Sequence, residues 1–252
     1  MCRDCGCGRA IEHSHARHHA DHDPHPHGHG RPVRRVTVEE DLRAKNDELA
    51  GEVRHRLDHD GIAAFNLIGA PGSGKTTLLE QTIRSLGGDV AISVLEGDQA
   101  TDRDAQRIAA SGCRVVQINT GAGCHLDASM VDRGLDELQP PPRSLLFVEN
   151  VGNLVCPALF DVGERAKVVV MSVTEGEDKP LKYPHVFRAA SAMVLTKADL
   201  LPHLIVDVGE CIANARRINP HLVVFLVAAL RGDGLDEWCT WLRLQVGGSH
   251  GR

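Results

Sequence analysis

The chain has 252 residues, 42% of them apolar, 25% charged and 3% aromatic, and a formal net charge of -6. There is enough apolar material for one large domain core, and the acidic balance excludes a general nucleic-acid binder, with RPVRR (31–35) the one basic run. No apolar stretch approaches the roughly 18 residues of a membrane span, and the N-terminus lacks the apolar segment of a secretory signal, so the expected location is the cytoplasm.

The first 33 residues hold Cys2, Cys5, Cys7 and histidines 13, 15, 18, 19, 22, 25, 27 and 29 among Gly, Pro and Asp. With almost no apolar residue this stretch cannot offset its ordering entropy, and it reads as a flexible tail. In a reducing compartment clustered thiols are metal ligands or redox groups rather than disulfide partners. His13, His15, His18, His19, His22, His25, His27 and His29 offer many interchangeable imidazoles, which suits metal buffering; a solubilising tail is the plainer alternative.

From residue 34 to 252 the text is that of a folded domain. Thr37-x-x-Glu40 is a capping box, and Leu42, Leu49, Val53 and Leu57 share one face of a leading helix that ends near Gly61. Seven apolar runs follow: IAAFNLI, VAISVLE, RVVQI, SLLFVEN, AKVVVMSV, AMVLTK and HLVVFLV. Helical patterns alternate with them at 76–86, 102–111, 127–138, 204–218 and 235–246. Such alternation predicts an α/β fold, a mostly parallel sheet flanked by helices.

Gly69-Ala-Pro-Gly72-Ser73-Gly74-Lys75-Thr76, between the strand FNLI and the helix TTLLEQTI, matches the phosphate loop G-x-x-x-x-G-K-[ST] in the strand-to-helix context it needs. Its N–H groups would surround phosphate oxygens, Lys75 would reach the β/γ-phosphates and Thr76 would ligate Mg²⁺. Asp98 and Glu149, each at a strand end, are candidate magnesium acids, and Gly152 is a candidate sensor of the γ-phosphate. Asn153 stands where Ras-like GTPases place a water-orienting Gln, and no arginine finger is evident. Further on, Thr196-Lys197-Ala198-Asp199 resembles the Asn-Lys-x-Asp by which GTPases read guanine, with Thr in the first position, and Ala228 and Ala229 occupy the place of a base-contacting backbone loop. GTP is the expected nucleotide.

Cys124 and His125 follow one strand and Cys156 follows another, so the parallel topology brings them to the same sheet edge. Together they suit Ni²⁺ or Zn²⁺; otherwise they are two small buried hydrophobes and a loop histidine, the reading taken for Cys113, Cys211 and Cys239.

The thiol-rich start, GAPGSGKTT, EGDQATDRDAQRI, GAGCHLDASMV, FVENVGNLVCP, SVTEGEDKPLKYP and TKADLLP together resemble the HypB family of hydrogenase nickel-incorporation GTPases over essentially the whole chain. The resemblance implies a SIMIBI-like P-loop NTPase fold and a nickel metallochaperone that dimerises with GTP. It further implies work with a HypA-type accessory protein on the large-subunit precursor of NiFe hydrogenase. It places a domain metal site on Cys124, His125 and Cys156, a high-affinity nickel site on Cys2, Cys5 and Cys7, and a nucleotide contact across the dimer on Lys179. The α-amine of Cys2, freed by loss of Met1, would complete a square-planar set with the three thiolates. A urease-type nickel GTPase of the UreG kind, and a nickel store with an incidental GTPase domain, are the alternatives.

Overall fold

A computed structural model describes residues 38–98, 102–121 and 123–247. The tail with its cysteines and histidines, and the Thr37–Glu40 capping box, lie outside what it describes. Seven strands are seen among the described residues: β1 Ala63–Ile68, β2 Ile92–Asp98, β3 Arg114–Asn119, β4 Leu145–Glu149, β5 Ala166–Ser172, β6 Ala190–Thr196 and β7 Val223–Leu226. They form one sheet in the order β3-β2-β4-β1-β5-β6-β7, and all six pairings are parallel. All seven apolar runs are therefore strands, and every strand's C-terminal end points to one edge.

Central strands are buried on both faces, and alternate residues feed different layers. Phe65, Leu67, Val94, Phe147, Val170 and Val194 pack toward α2 (Lys75–Leu86) and α9 (Leu235–Gly247), where Trp238 donates its indole N–H to Thr82 Oγ1 at 2.9 Å. On the opposite face Ala64, Leu95, Leu146 and Val148 meet α1 (Val38–His59) and α4 (Ala128–Leu138). Val169, Met171, Met193 and Leu195 meet α7 (Pro184–Ala189) and α8 (Val208–Ile218).

Several boundaries differ from the sequence expectation. On α1 the covered stripe is Asn46, Ala50, Val53 and Leu57, while Leu42, on the same face one turn earlier, is 59% exposed and Leu49 only half-buried. The helix expected from residue 204 begins at Val208, because Asp207 accepts the Glu210 N–H (2.9 Å) as N-cap and the preceding Ala198–His203 is a 3₁₀ turn containing Pro202. The helix expected at 102–111 is α3, Arg103–Ala109. Three short helices had no periodic signal to reveal them: α5 (Cys156–Leu159), α6 (Lys179–Lys182) and α7, each with proline in its first turn.

Asn46 ties α1 to α4 and to the segment before β5: its Nδ2 donates to the Asp161 carbonyl (2.7 Å) and its Oδ1 accepts the Ala128 N–H at the start of α4 (3.0 Å). Asn46→Ala leaves a buried N–H and a half-buried carbonyl unpaired and is expected to cost about 1–3 kcal/mol in urea unfolding; an unchanged midpoint would show the bonds to be dispensable.

Candidate functional site

Between β1 and α2 the chain turns tightly. Gly74 adopts φ 96°, and a Cβ there would lie 3.2 Å from Thr196 Oγ1. Thr196, buried at the end of β6, donates to the Ser73 carbonyl and so supports the loop from beneath, while Lys197 Nζ donates to the Gly72 carbonyl at 2.7 Å. The two residues that open the guanine-like motif thus brace the phosphate loop. Lys75 Nζ lies 3.2 Å from the Gly69 carbonyl; burial pulls its pKa down, against the opposing field of Glu149.

The loop forms one wall of a cleft of about 530 Å³, which Gly72, Gly74, Lys75, Thr76 and Thr77 share with Glu96, Asp98, Glu149, Asn150, Gly152 and Lys197. Thr76 Oγ1 donates to Glu149 Oε1 at 2.8 Å. Glu96 and Glu149 are register partners on β2 and β4, 3% and 4% exposed, and each has an Oε2 with no hydrogen-bond partner. Burial first, then the neighbouring Glu149 carboxylate, lifts Glu96 to about 8; burial lifts Glu149 to about 7 against the pull of Lys75 and Thr76. Two buried acids with unpaired oxygens beside a threonine hydroxyl fit a hard divalent cation such as Mg²⁺. Of the strand-end segment Glu96-Gly97-Asp98 the sequence singles out Asp98, which stands at the cleft beside Glu96. Only strand register reveals that Glu96 faces Glu149.

Arg107 of α3 also lines this cleft, pairing with Glu80 (2.8 Å) and Asp104 (3.1 Å) and donating to Thr77 Oγ1 (3.3 Å). No local pattern marked it, since its proximity comes from α3 packing on α2. Asp199 sits half-buried in the 3₁₀ turn after β6, joined to the β7 loop by the Ala198 N–H on the Val227 carbonyl. The Ala228 N–H donates to the Asp233 carbonyl (2.9 Å), so a base contact there requires that bond to open. Lys179 pairs with Glu175 at 2.8 Å and lies over the Tyr183 ring.

The second cluster is at the same edge. Donor atoms of Cys124, His125 and Cys156 lie within 4.8 Å of one another, with Cys124 Sγ 3.6 Å from His125 Nδ1. A four-coordinate N/S site needs donor separations of roughly 3.3–3.8 Å, which Cys124 and His125 already meet at 3.6 Å. His125 stacks on Phe160 (centroids 3.9 Å apart), and burial lowers its pKa, which favours the neutral ligand form. The Cys156 thiol beside it raises Cys124. Cys211 and Cys239 are buried and Cys113 half-buried, as expected of inert thiols.

Glu149 to Cys156 is one continuous stretch that joins the two clusters. Gly152 packs against Pro71, where a Cβ would come within 2.9 Å of Cγ, and Asn153 pairs with Gly69 as an antiparallel bridge. The Asn153 amide donates to the Cys124 carbonyl (3.4 Å) and accepts the Val155 N–H (2.9 Å), so in this arrangement both its ends are committed away from an attacking water.

The folded chain retains protons on Glu96 and Glu149 that the unfolded chain releases above about pH 4.5, so stability without nucleotide or cation should fall as pH rises toward 8, by up to about 1.4 kcal/mol per pH unit for each retained proton. Thermal melts from pH 6 to 8.5 should show this decline, Mg²⁺ should reverse it, and Glu96→Gln should flatten it. A flat profile in the unsubstituted chain would contradict the buried acid pair.

Comparison with known proteins places these features in a family. The model of the CobW/HypB/UreG nucleotide-binding domain matches residues 63–225. Hydrogenase maturation factor HypB of Rhizobium leguminosarum bv. viciae is 55% identical over 211 residues, 84% of this chain and 71% of that protein. The crystal structure of HypB from Archaeoglobus fulgidus superposes with a TM-score of 0.76 at 40% identity, covering 81% of this chain and all of that one. HypB from Helicobacter pylori, solved in complex with nickel, gives 0.75 at 35% identity over 82% of this chain and all of its own. With its P-loop, its parallel sheet and these relatives, the chain belongs to the CobW/HypB/UreG nucleotide-binding family and, within it, to the HypB hydrogenase maturation factors.

Proposed function

We propose that this protein is a cytoplasmic GTP-hydrolysing nickel metallochaperone that binds Ni²⁺ and delivers it during maturation of NiFe hydrogenase. The observation that carries the reading is that one eight-residue stretch, Glu149 to Cys156, borders the nucleotide cleft at one end and supplies a metal-binding thiol at the other. The hydrogenase maturation role of the relatives, and nickel in the complex of one, support the choice of pathway and cargo.

Residues 34–252 form the GTPase domain. The loop Gly69 to Thr77 wraps the phosphates with its N–H groups, Lys75 neutralises charge developing on the β/γ-oxygens, and Asp199 reads guanine, helped by Lys197 and the Ala228 loop. Thr76, Asp98, Glu149 and, on the evidence of its orphaned oxygen, Glu96 would hold Mg²⁺, which when bound would supply electrostatic stabilisation of the transferring phosphoryl group. With Asn153 committed elsewhere, no side chain is assigned to orient the attacking water, which suits slow intrinsic turnover. A second copy of the chain, a HypA-type protein and the hydrogenase large-subunit precursor are the partners, and Lys179 would reach a nucleotide across the dimer after leaving Glu175.

Cys124, His125 and Cys156 hold Ni²⁺ or Zn²⁺ as cargo and leave a fourth position for an exchanging ligand. Cys2, Cys5 and Cys7 are proposed as the tight nickel site of the tail, residues 1–33, and its histidines as a reserve that loads and unloads with pH.

Steady-state hydrolysis tests the enzymatic core of this reading. GTP turnover is expected well below about 1 s⁻¹, with at least a 100-fold preference (order of magnitude) over ATP in kcat/KM. Lys75→Ala should abolish turnover and Asp199→Ala the preference. Equal use of ATP, or fast turnover undiminished on dilution, would contradict it.

A further inference from the structure

We infer that Asn153 is the positioning residue through which nucleotide state reaches the metal cluster, with Asn150 as the fixed anchor against which it works. The inference rests on the delivery function proposed above and names the side chain that would transmit it.

Asn150 is held on every side. It is 1% exposed, its Nδ2 donates to Asn66 Oδ1 of β1 (3.2 Å), and its Oδ1 accepts the N–H groups of Val151 (3.0 Å) and Leu126 (3.1 Å). Asn66 in turn donates to Glu164 (3.3 Å), which pairs with Lys167 at 2.7 Å. Leu126 follows His125 directly, so the C-terminal side of the Cys-His loop is fastened through Asn150, which lines the cleft but is itself tied by its amide to β1.

Asn153 contacts what can move. Its backbone pairs with Gly69, at the start of the phosphate loop, and the preceding Gly152 packs on Pro71 of that loop. Its amide nitrogen holds the Cys124 carbonyl, and its amide oxygen holds the Val155 N–H, one residue before Cys156. A single residue therefore joins the phosphate loop, through its backbone, to both thiol-bearing segments, through its side chain. Any displacement of Gly152 and Asn153 relative to β4 changes the separation of Cys124 from Cys156, whereas Leu126 stays pinned by Asn150. The three donors already lie within 4.8 Å of one another, so a small shift at Asn153, which holds both thiol-bearing segments, is enough to favour or disfavour a metal there.

The test uses the full chain and a readout specific to the site. Cys124 alkylation is followed by mass spectrometry at free Ni²⁺ concentrations fixed by a chelator, and the Ni²⁺ concentration giving half-protection is compared with GDP and with a non-hydrolysable GTP analogue. Unsubstituted protein is expected to show midpoints about tenfold apart, within the range usual for coupled sites. Asn153→Ala, and Asn153→Asp, which keeps the acceptor for Val155 N–H but loses the donor to Cys124, should bring the two midpoints within about twofold of each other. The buried Cys211 and Cys239 must stay unreactive in each variant, and if the alanine variant fails that check the aspartate variant decides. A tenfold separation that survives both substitutions overturns the role of Asn153 and leaves the delivery reading intact. Coincident midpoints in the unsubstituted protein overturn the delivery reading and the role of Asn153 with it.

Discussion

Glu149 ends the central strand β4 as a buried carboxylate with Thr76 on one side and Glu96 opposite it on β2. Two such acids, both lifted toward neutral pH, are unfavourable as anions in a dry sheet edge unless positive charge arrives. Lys75 supplies some of it, and a divalent cation with its nucleotide would supply the rest. The cleft is thus poised to bind, and the chain leaving Glu149 lines it as far as Gly152.

That chain also leads to the cluster of Cys124, His125 and Cys156. Parallel topology places the exits of β1, β3 and β4 at one edge, so a phosphate loop, a Cys-His turn and a second thiol can be neighbours despite separations of 30 to 80 residues in sequence. Coupling in such an arrangement needs no long wire. It needs one short segment with different contacts in two nucleotide states, and Glu149 to Cys156 touches both sites.

Much of this was legible in the sequence because it follows from local pattern. The seven apolar runs, the phosphate loop and the convergence of Cys124, His125 and Cys156 all follow from periodicity, spacing and the rule that parallel strands present their ends together. Other features arise only from packing. Glu96 matters because register puts it opposite Glu149, Arg107 because α3 lies on α2, and Asn153 because its amide turns toward Cys124. Leu42 shows the limit from the other side: its helical spacing is right, yet the layer that covers α1 begins a turn later, at Asn46. The short helices α5, α6 and α7 each carry proline in the first turn and have no room for a periodic signal.

Thermodynamic reciprocity offers the most direct test that the two sites are coupled: if nucleotide state alters metal binding at Cys124, His125 and Cys156, metal must alter nucleotide affinity by the same factor. The measurement is the affinity ratio of GDP to a non-hydrolysable GTP analogue, taken with the chain metal-free and then saturated with Ni²⁺, in the unsubstituted protein and in Cys124→Ala. The ratio is expected to change by about tenfold on adding metal, and not at all in the variant. A ratio indifferent to nickel in the unsubstituted protein would contradict the coupling and leave two independent sites that merely share a sheet edge.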